Sequence, residues 1–140
     1  MTQPPTVGPV EIVVLSFPGI RIEPEVTAAF TDVLGRGYVT VLDLIYLAKN
    51  QDGQVTLIEA DESLAETGLD ALTVSPLGLV SENDLDIVRS SMAPGTAAVV
   101  IVYEQTWART LAEEVRSTGG AVELHIQVPR DVVEAALIAT

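Results

Sequence analysis

The run Ala97-Ala98-Val99-Val100-Ile101-Val102-Tyr103-Glu104 is apolar at odd and even positions alike and leads straight into a helical pattern. Successive side chains of a strand point to opposite faces, so a strand with one wetted face alternates. This one does not, and something has to cover it on both sides. Two further runs share the character, Val10 to Phe17 (VEIVVLSF) and Val39 to Ala48 (VTVLDLIYLA). A chain of 140 residues has few elements to spare for covering three such strands twice over.

The remaining punctuation is local. Pro18-Gly19 stops the first strand. Glu23-Pro24 opens a helix, with proline at the first helical position where its missing N–H costs nothing. Val26, Ala29, Phe30, Val33 and Leu34 then recur at helical spacing as one stripe, and Gly35 and Gly37 end it. Asn50-Gln51-Asp52-Gly53 reads as a hairpin turn into a returning strand at 55–60. Residues 61–80 read as a short helix followed by a packed loop. Ser81 is an N-cap, with Glu82 and Asp84 in the first turn and Leu85, Val88 and Met92 on the inner face. Thr106 caps the next helix, whose inner stripe is Ala108, Leu111, Ala112 and Val115, with Arg109 beside Glu113 outside. Ala121 to Val128 alternates, with Val122, Leu124, Ile126 and Val128 inward, and reads as a strand. Pro129 starts a last amphipathic helix through Val132, Val133, Ala136 and Leu137.

Strand–helix–strand thus occurs twice, at 10–48 and at 97–128. The order βαββ-α-βαβ plus a C-terminal helix predicts an α+β fold, a ferredoxin-like sandwich of interleaved split βαβ units. Residues 1–9, with three prolines and one glycine, read as a flexible lead, and 10–140 as a single domain.

Composition narrows the partners. Twenty acids against seven bases give a net charge of −13, and six of the bases are Arg, the seventh being Lys49. Nucleic-acid binding draws on basic side chains that neutralise phosphates, and anionic lipid asks for the same, so both are disfavoured. The hydrophobic share of 48% and mean hydropathy of +0.38 are high for a soluble chain, a second sign of a partner interface. No cysteine is present, which removes disulfides, thiol catalysis and cysteine-bound metals and fits a reducing cytoplasm. No secretory signal and no apolar run of about 20 residues is visible, so a cytoplasmic protein without membrane insertion is expected.

Five residues stand out as candidate ligand-binding positions, each with a plainer structural reading beside it. Glu104 ends the most apolar strand, two residues before a helix start, as an acid, base or ligand or as a helix-capping carboxylate. Asp43 interrupts an apolar run and needs a partner if buried, with Arg109, Arg36 or an Arg of another copy as candidates. His125, the single histidine, lies on the polar side of an alternating strand. Trp107 sits in a first helical turn, as pocket lining, interface anchor or core. Tyr103 precedes Glu104. The acids of 61–86 lack EF-hand spacing, and Gly-x-Gly at 35–37 follows a helix rather than opening one, so neither a metal site nor a phosphate loop is expected. No residue set points to a cofactor or to a catalytic group.

Several blocks of the sequence carry a resemblance. They are Gly8-Pro9-Val10-Glu11 with Phe17-Pro18-Gly19, Val41-Leu42-Asp43-Leu44, Pro94-Gly95-Thr96-Ala97-Ala98, and Glu104-Gln105-Thr106-Trp107-Ala108. Together they resemble an actinobacterial domain-of-unknown-function family over nearly the whole chain. Its core is similar to a broader bacterial family of uncharacterised, stress-associated or membrane-annotated proteins. The resemblance implies a ferredoxin-like fold and brings no activity with it.

A ferredoxin-like sandwich covers one sheet face with helices and leaves the other bare. Segment 61–80, the last helix or a second copy then has to close it. A non-catalytic protein that forms a homodimer or larger assembly is the expected function. The alternative is a small-ligand binder or enzyme of the dimeric α/β-barrel type, with Tyr46, Tyr103, Glu104, Trp107 and His125 as pocket wall.

Overall fold

The computed structural model describes residues 7–59, 78–124 and 126–139. In chain order the elements are β1 (Val10–Phe17), α1 (Pro24–Gly35), β2 (Thr40–Lys49), β3 (Val55–Glu59), α2 (Glu82–Ser91), β4 (Thr96–Glu104), α3 (Thr106–Ser117) and α4 (Arg130–Ala139). The helix and loop expected within 61–77, and His125, lie outside the described residues. The backbone falls into two compact units, Met1–Arg109 and Thr110–Thr140.

The first unit is built on an antiparallel sheet of order β1-β4-β2-β3. The longest apolar run, β4, is therefore central, where only a strand without a wet face can sit. The connection β1–α1–β2 skips over β4, and the path from β3 through α2 to β4 skips over β2. Both are split βαβ units, as the element order predicts.

The layering is different from the expected sandwich. Odd residues of β4 (Ala97, Val99, Ile101) join Leu44, Tyr46 and Ile22 in one cluster, against which Phe30 and Leu34 of α1 pack. Even residues (Ala98, Val100) join Ile45 and Leu47 in a second cluster with Leu85 and Val88 of α2. The two helices lie on opposite faces, so α1, the sheet and α2 form three layers. A ferredoxin-like arrangement would put both helices on one side. The two crossovers run in opposite senses and step in opposite directions across the sheet, so connections of equal hand would do that. Here Leu85 and Val88, three residues apart, give α2 an apolar stripe that seats on the even-numbered face. The centre of the sheet is therefore closed on both sides within one chain, without the second copy that its sequence suggested.

Local chemistry explains the element ends. Pro24 opens α1, and Gly37, with φ of +74°, donates its N–H to the Leu34 carbonyl at 3.1 Å just past the helix end. The inward side of α1 is Thr27, Phe30 and Leu34, while Val26 and Val33 of the expected stripe remain exposed. At the hairpin, Asn50 Oδ1 accepts from the N–H groups of Asp52 (3.0 Å) and Gln54 (2.9 Å). Ser81 Oγ caps α2 by accepting from Asp84 N–H at 3.1 Å. The other end of α2 is held by Lys49, whose ammonium donates to the carbonyls of Arg89 (3.2 Å) and Met92 (3.0 Å).

In the second unit α3 closes on Gly119-Gly120. Gly120 donates to the Val115 carbonyl at 2.9 Å, and a Cβ there would meet Val115 Cγ1 at 2.8 Å. The segment expected as a strand at 121–128 is not one: residues 121–124 and 126–129 take part in no ladder, and Val122, Leu124, Ile126 and Val128 are exposed. Alternation marks the face a strand would bury, but a strand exists only where a neighbour takes its N–H and C=O groups. The inner stripes expected for α3 and α4 are likewise not buried, with Leu111, Val132, Val133 and Leu137 exposed.

Candidate functional site

Two places in the first unit carry the chemistry-bearing residues. One is the end of the sheet where β4 runs into α3. The register there contains a bulge: Val41 pairs with Tyr103 and Asp43 with Val102, so Leu42 is an extra residue in β2. The bulge puts Asp43 beside Val102, on the α2 side of the sheet. Glu104 is two β4 positions further on and so points the same way. The two carboxylates picked out in the sequence thus share a face, and both are 3% exposed.

Each carboxylate is engaged by its own fold. Glu104 Oε2 accepts from the Gly8 N–H at 2.7 Å and lies 3.5 Å from Arg109 Nε. Its Oε1 accepts from the Thr106 hydroxyl at 3.2 Å, which in turn is shared with the Thr40 hydroxyl. Pro9 completes the junction, its carbonyl accepting from Gln105 N–H at 2.7 Å. A Cβ on Gly8 would meet the Gln105 carbonyl at 2.7 Å and Arg109 Cβ at 3.1 Å, so only glycine fits this close approach. Glu104 thus fastens residue 8 of the expected flexible lead to the start of α3, and Arg109 turns to it rather than to Glu113.

Asp43 has no arginine among its described partners. Its Oδ1 accepts from the Leu44 N–H at 2.9 Å and its Oδ2 from the Leu79 N–H at 3.1 Å. Arg36, one expected partner, pairs with Asp32 at 3.0 Å instead. A buried carboxylate needs donors, and two backbone amides supply them where the sequence suggested a cation.

The remaining candidates are scattered. Tyr103 and Tyr46 point to the α1 side, away from Glu104. The Tyr103 hydroxyl donates to Glu11 Oε2 at 3.0 Å, tying β4 to β1. Burial pushes its pKa up from the ordinary tyrosine value, and the hydrogen bond to Glu11 and that carboxylate's charge act in the same direction. Tyr46 donates to the Ile20 carbonyl, and burial raises its pKa too. Trp107 is 53% exposed rather than core, and its indole N–H donates to Gln105 Oε1 at 2.8 Å. Within one chain, Tyr46 and Tyr103 thus lie on the sheet face opposite to Glu104. Among the described residues no group of three or more His, Asp or Glu side chains is placed to hold a metal.

The second place is apolar. Between α1 and the β1–β4 half of the sheet runs a groove of about 260 Å³. Phe17, Phe30, Val26, Val33 and Leu15 line it, with Thr27 as a polar member. On the opposite face, Val10, Ile12 and Val14 of β1 are 46%, 50% and 45% exposed. Sequence reasoning placed these residues in an apolar strand and a helical stripe but not at a groove or at a sheet edge, because strand order is not written in periodicity.

Among the described residues no helix is long and apolar enough to cross a membrane. A family model described as "Family of unknown function (DUF6325)" matches residues 6–140. No curated protein and no solved structure shows a match.

Proposed function

Since the chain belongs to the DUF6325 family of unknown function, we propose from its geometry a non-catalytic α+β module that works by associating with copies of itself. The reading rests on one observation: β1 is an eight-residue edge strand with Val10, Ile12 and Val14 turned to solvent on the face that α2 leaves open. An exposed, long, apolar edge is a ready template for pairing with another chain. The site chemistry points the same way. The two buried carboxylates, where acid–base work would sit, are taken up by backbone amides, a hydroxyl and a guanidinium of their own fold. Sedimentation velocity over a wide concentration range tests the reading. A mass rising toward a multiple of 14.8 kDa supports it, and a constant monomer mass into the high micromolar range overturns it.

One observation favours a second reading. The groove under α1 is apolar and of a size for a small uncharged ligand. A Val33→Glu variant separates the two readings: it abolishes binding of an apolar fluorescent probe if the groove is a binding site, and it leaves self-association unchanged.

A further inference from the structure

Resting on the self-association reading, we infer that two copies join β1 to β1 antiparallel across a twofold axis, with Val13 opposite Val13, into one continuous eight-stranded sheet. The Pro9 carbonyl accepts from Gln105, and the β1–β4 register runs unbroken from Val10↔Glu104 to Phe17↔Ala97. The N–H and C=O of one strand residue point to the same side, and successive residues alternate. Odd residues of β1 therefore turn their backbone toward β4. Val10, Ile12, Val14 and Ser16 turn theirs to the free edge. These are the same residues whose side chains lie on the uncovered face. Among the described residues, the backbone without a ladder partner and the exposed apolar stripe thus belong to one set of residues.

The edge lacks three of the usual protections. Residues 10–17 contain no Lys and no Pro, and the strand has no bulge. Glu11 is the single charged residue of the strand, in a chain of net charge −13.

Symmetry selects the register. In a twofold antiparallel pair, opposite residues share a face, and hydrogen-bonded pairs join two residues with outward backbone groups. The paired residue numbers must then sum to an even value. A sum of 26 pairs Val10 with Ser16 and Ile12 with Val14, and sets Glu11 against Leu15. A sum of 24 shortens the ladder to five residues, and a sum of 28 sets Ile12 against Ser16 and parts the apolar stripe. The sum of 26 keeps seven residues paired, joins the two exposed stripes and keeps the two Glu11 carboxylates off each other. A strand pair of this length buries less than the roughly 1,200 Å² of a stable complex, so the dimer belongs to the transient class. Self-repulsion of two acidic copies is screened by salt, so association strengthens as salt rises.

The chain has no cysteine, which makes single-cysteine crosslinking direct. In the selected register Val13 is a non-hydrogen-bonded pair with itself, Cα atoms about 4.5 Å apart, within disulfide reach. Val13→Cys in the full chain is expected to oxidise to a covalent dimer about tenfold faster than Ile12→Cys or Val14→Cys, whose own copies are not opposite. Adding Ser16→Lys at the exposed edge abolishes that dimer while leaving the circular dichroism spectrum unchanged. Equal rates for the three cysteine variants, or a faster Val14→Cys, overturn this register while the sedimentation result for the unaltered chain leaves self-association standing. A chain that sediments as a monomer throughout sinks both, and leaves the edge to a strand from a different protein.

Discussion

The two edges of the sheet are built differently. Strand β3 is five residues long and uses both faces: Val55 and Leu57 pack with the α2 cluster, and Ile58 with the α1 cluster. Strand β1 is eight residues long and uses one face, with Val13 and Phe17 toward α1 and Val10, Ile12 and Val14 open. A helix is about 10 Å wide and strands are about 4.8 Å apart, so one helix covers roughly two strands. With α2 seated over β2 and β4 and reaching β3, the fourth strand of that face falls outside its footprint. The comparison teaches that the apolar excess of this sequence is unevenly placed. Within the sheet, the centre and the β3 edge are satisfied by the chain itself, and the sheet's own surplus lies on β1.

The strongest challenge to that contrast is at the strand next to β3. Leu47 is fully buried under α2. Leu47→Ala is expected to cost about 3 kcal/mol in urea unfolding, and a loss under 1 kcal/mol would mean that α2 does not seal that half of the face. At the β1 end, Glu104→Ala removes the acceptor of the Gly8 N–H, one partner of the Thr106 hydroxyl and the Arg109 counter-charge, and is expected to cost about 2 kcal/mol, with Glu104→Gln retaining part of it. An unchanged midpoint for both would show that the junction does not anchor β1. The edges themselves can be compared directly. Leu57→Ala is expected to cost about 1–2 kcal/mol and Val14→Ala less than about 0.5 kcal/mol, and equal losses would erase the distinction. The smallest effect is a titration. Tyr103, which ties β4 to β1, has a folded pKa above the unfolded value of about 10. Above that pH the native state holds more protons than the unfolded one, so stability is complete below about pH 10 and declines as pH rises further. Tyr103→Phe should make the fall between pH 9 and pH 11 shallower, and an unaltered slope would remove Tyr103 from the balance.

Most of the elements were legible because their signals are local. The β1 run between Pro9 and Pro18, the proline start of α1, the Asn50–Gly53 turn and the Ser81 cap each lie at or within a residue or two of the boundaries predicted for them. What was not legible is set by contacts distant in sequence. Nothing in Leu85 and Val88 says which face of the sheet α2 takes, and the expected single-sided layering failed there. The alternation of 121–128 is as clean as that of any strand, yet no ladder forms on it among the described residues, because pairing needs a partner that periodicity does not supply. The site was half visible. Glu104 and Asp43 announce themselves as carboxylates in apolar runs. Their partners, the backbone N–H groups of Gly8, Leu44 and Leu79, carry no residue-type signal, so Arg36 and Arg109 were the natural candidates for Asp43 and both pair elsewhere. Gly8 could have been noticed as a glycine beside a strand start, where the main chain passes too close for a side chain.

Lys49 is the single lysine of the chain, and its amine is tied to the last carbonyls of α2. The protein thus carries a built-in chemical reporter. Release of the helix end frees that nitrogen for an acylating reagent, so the labelling rate of Lys49 rises with the local opening of one layer in the unaltered chain.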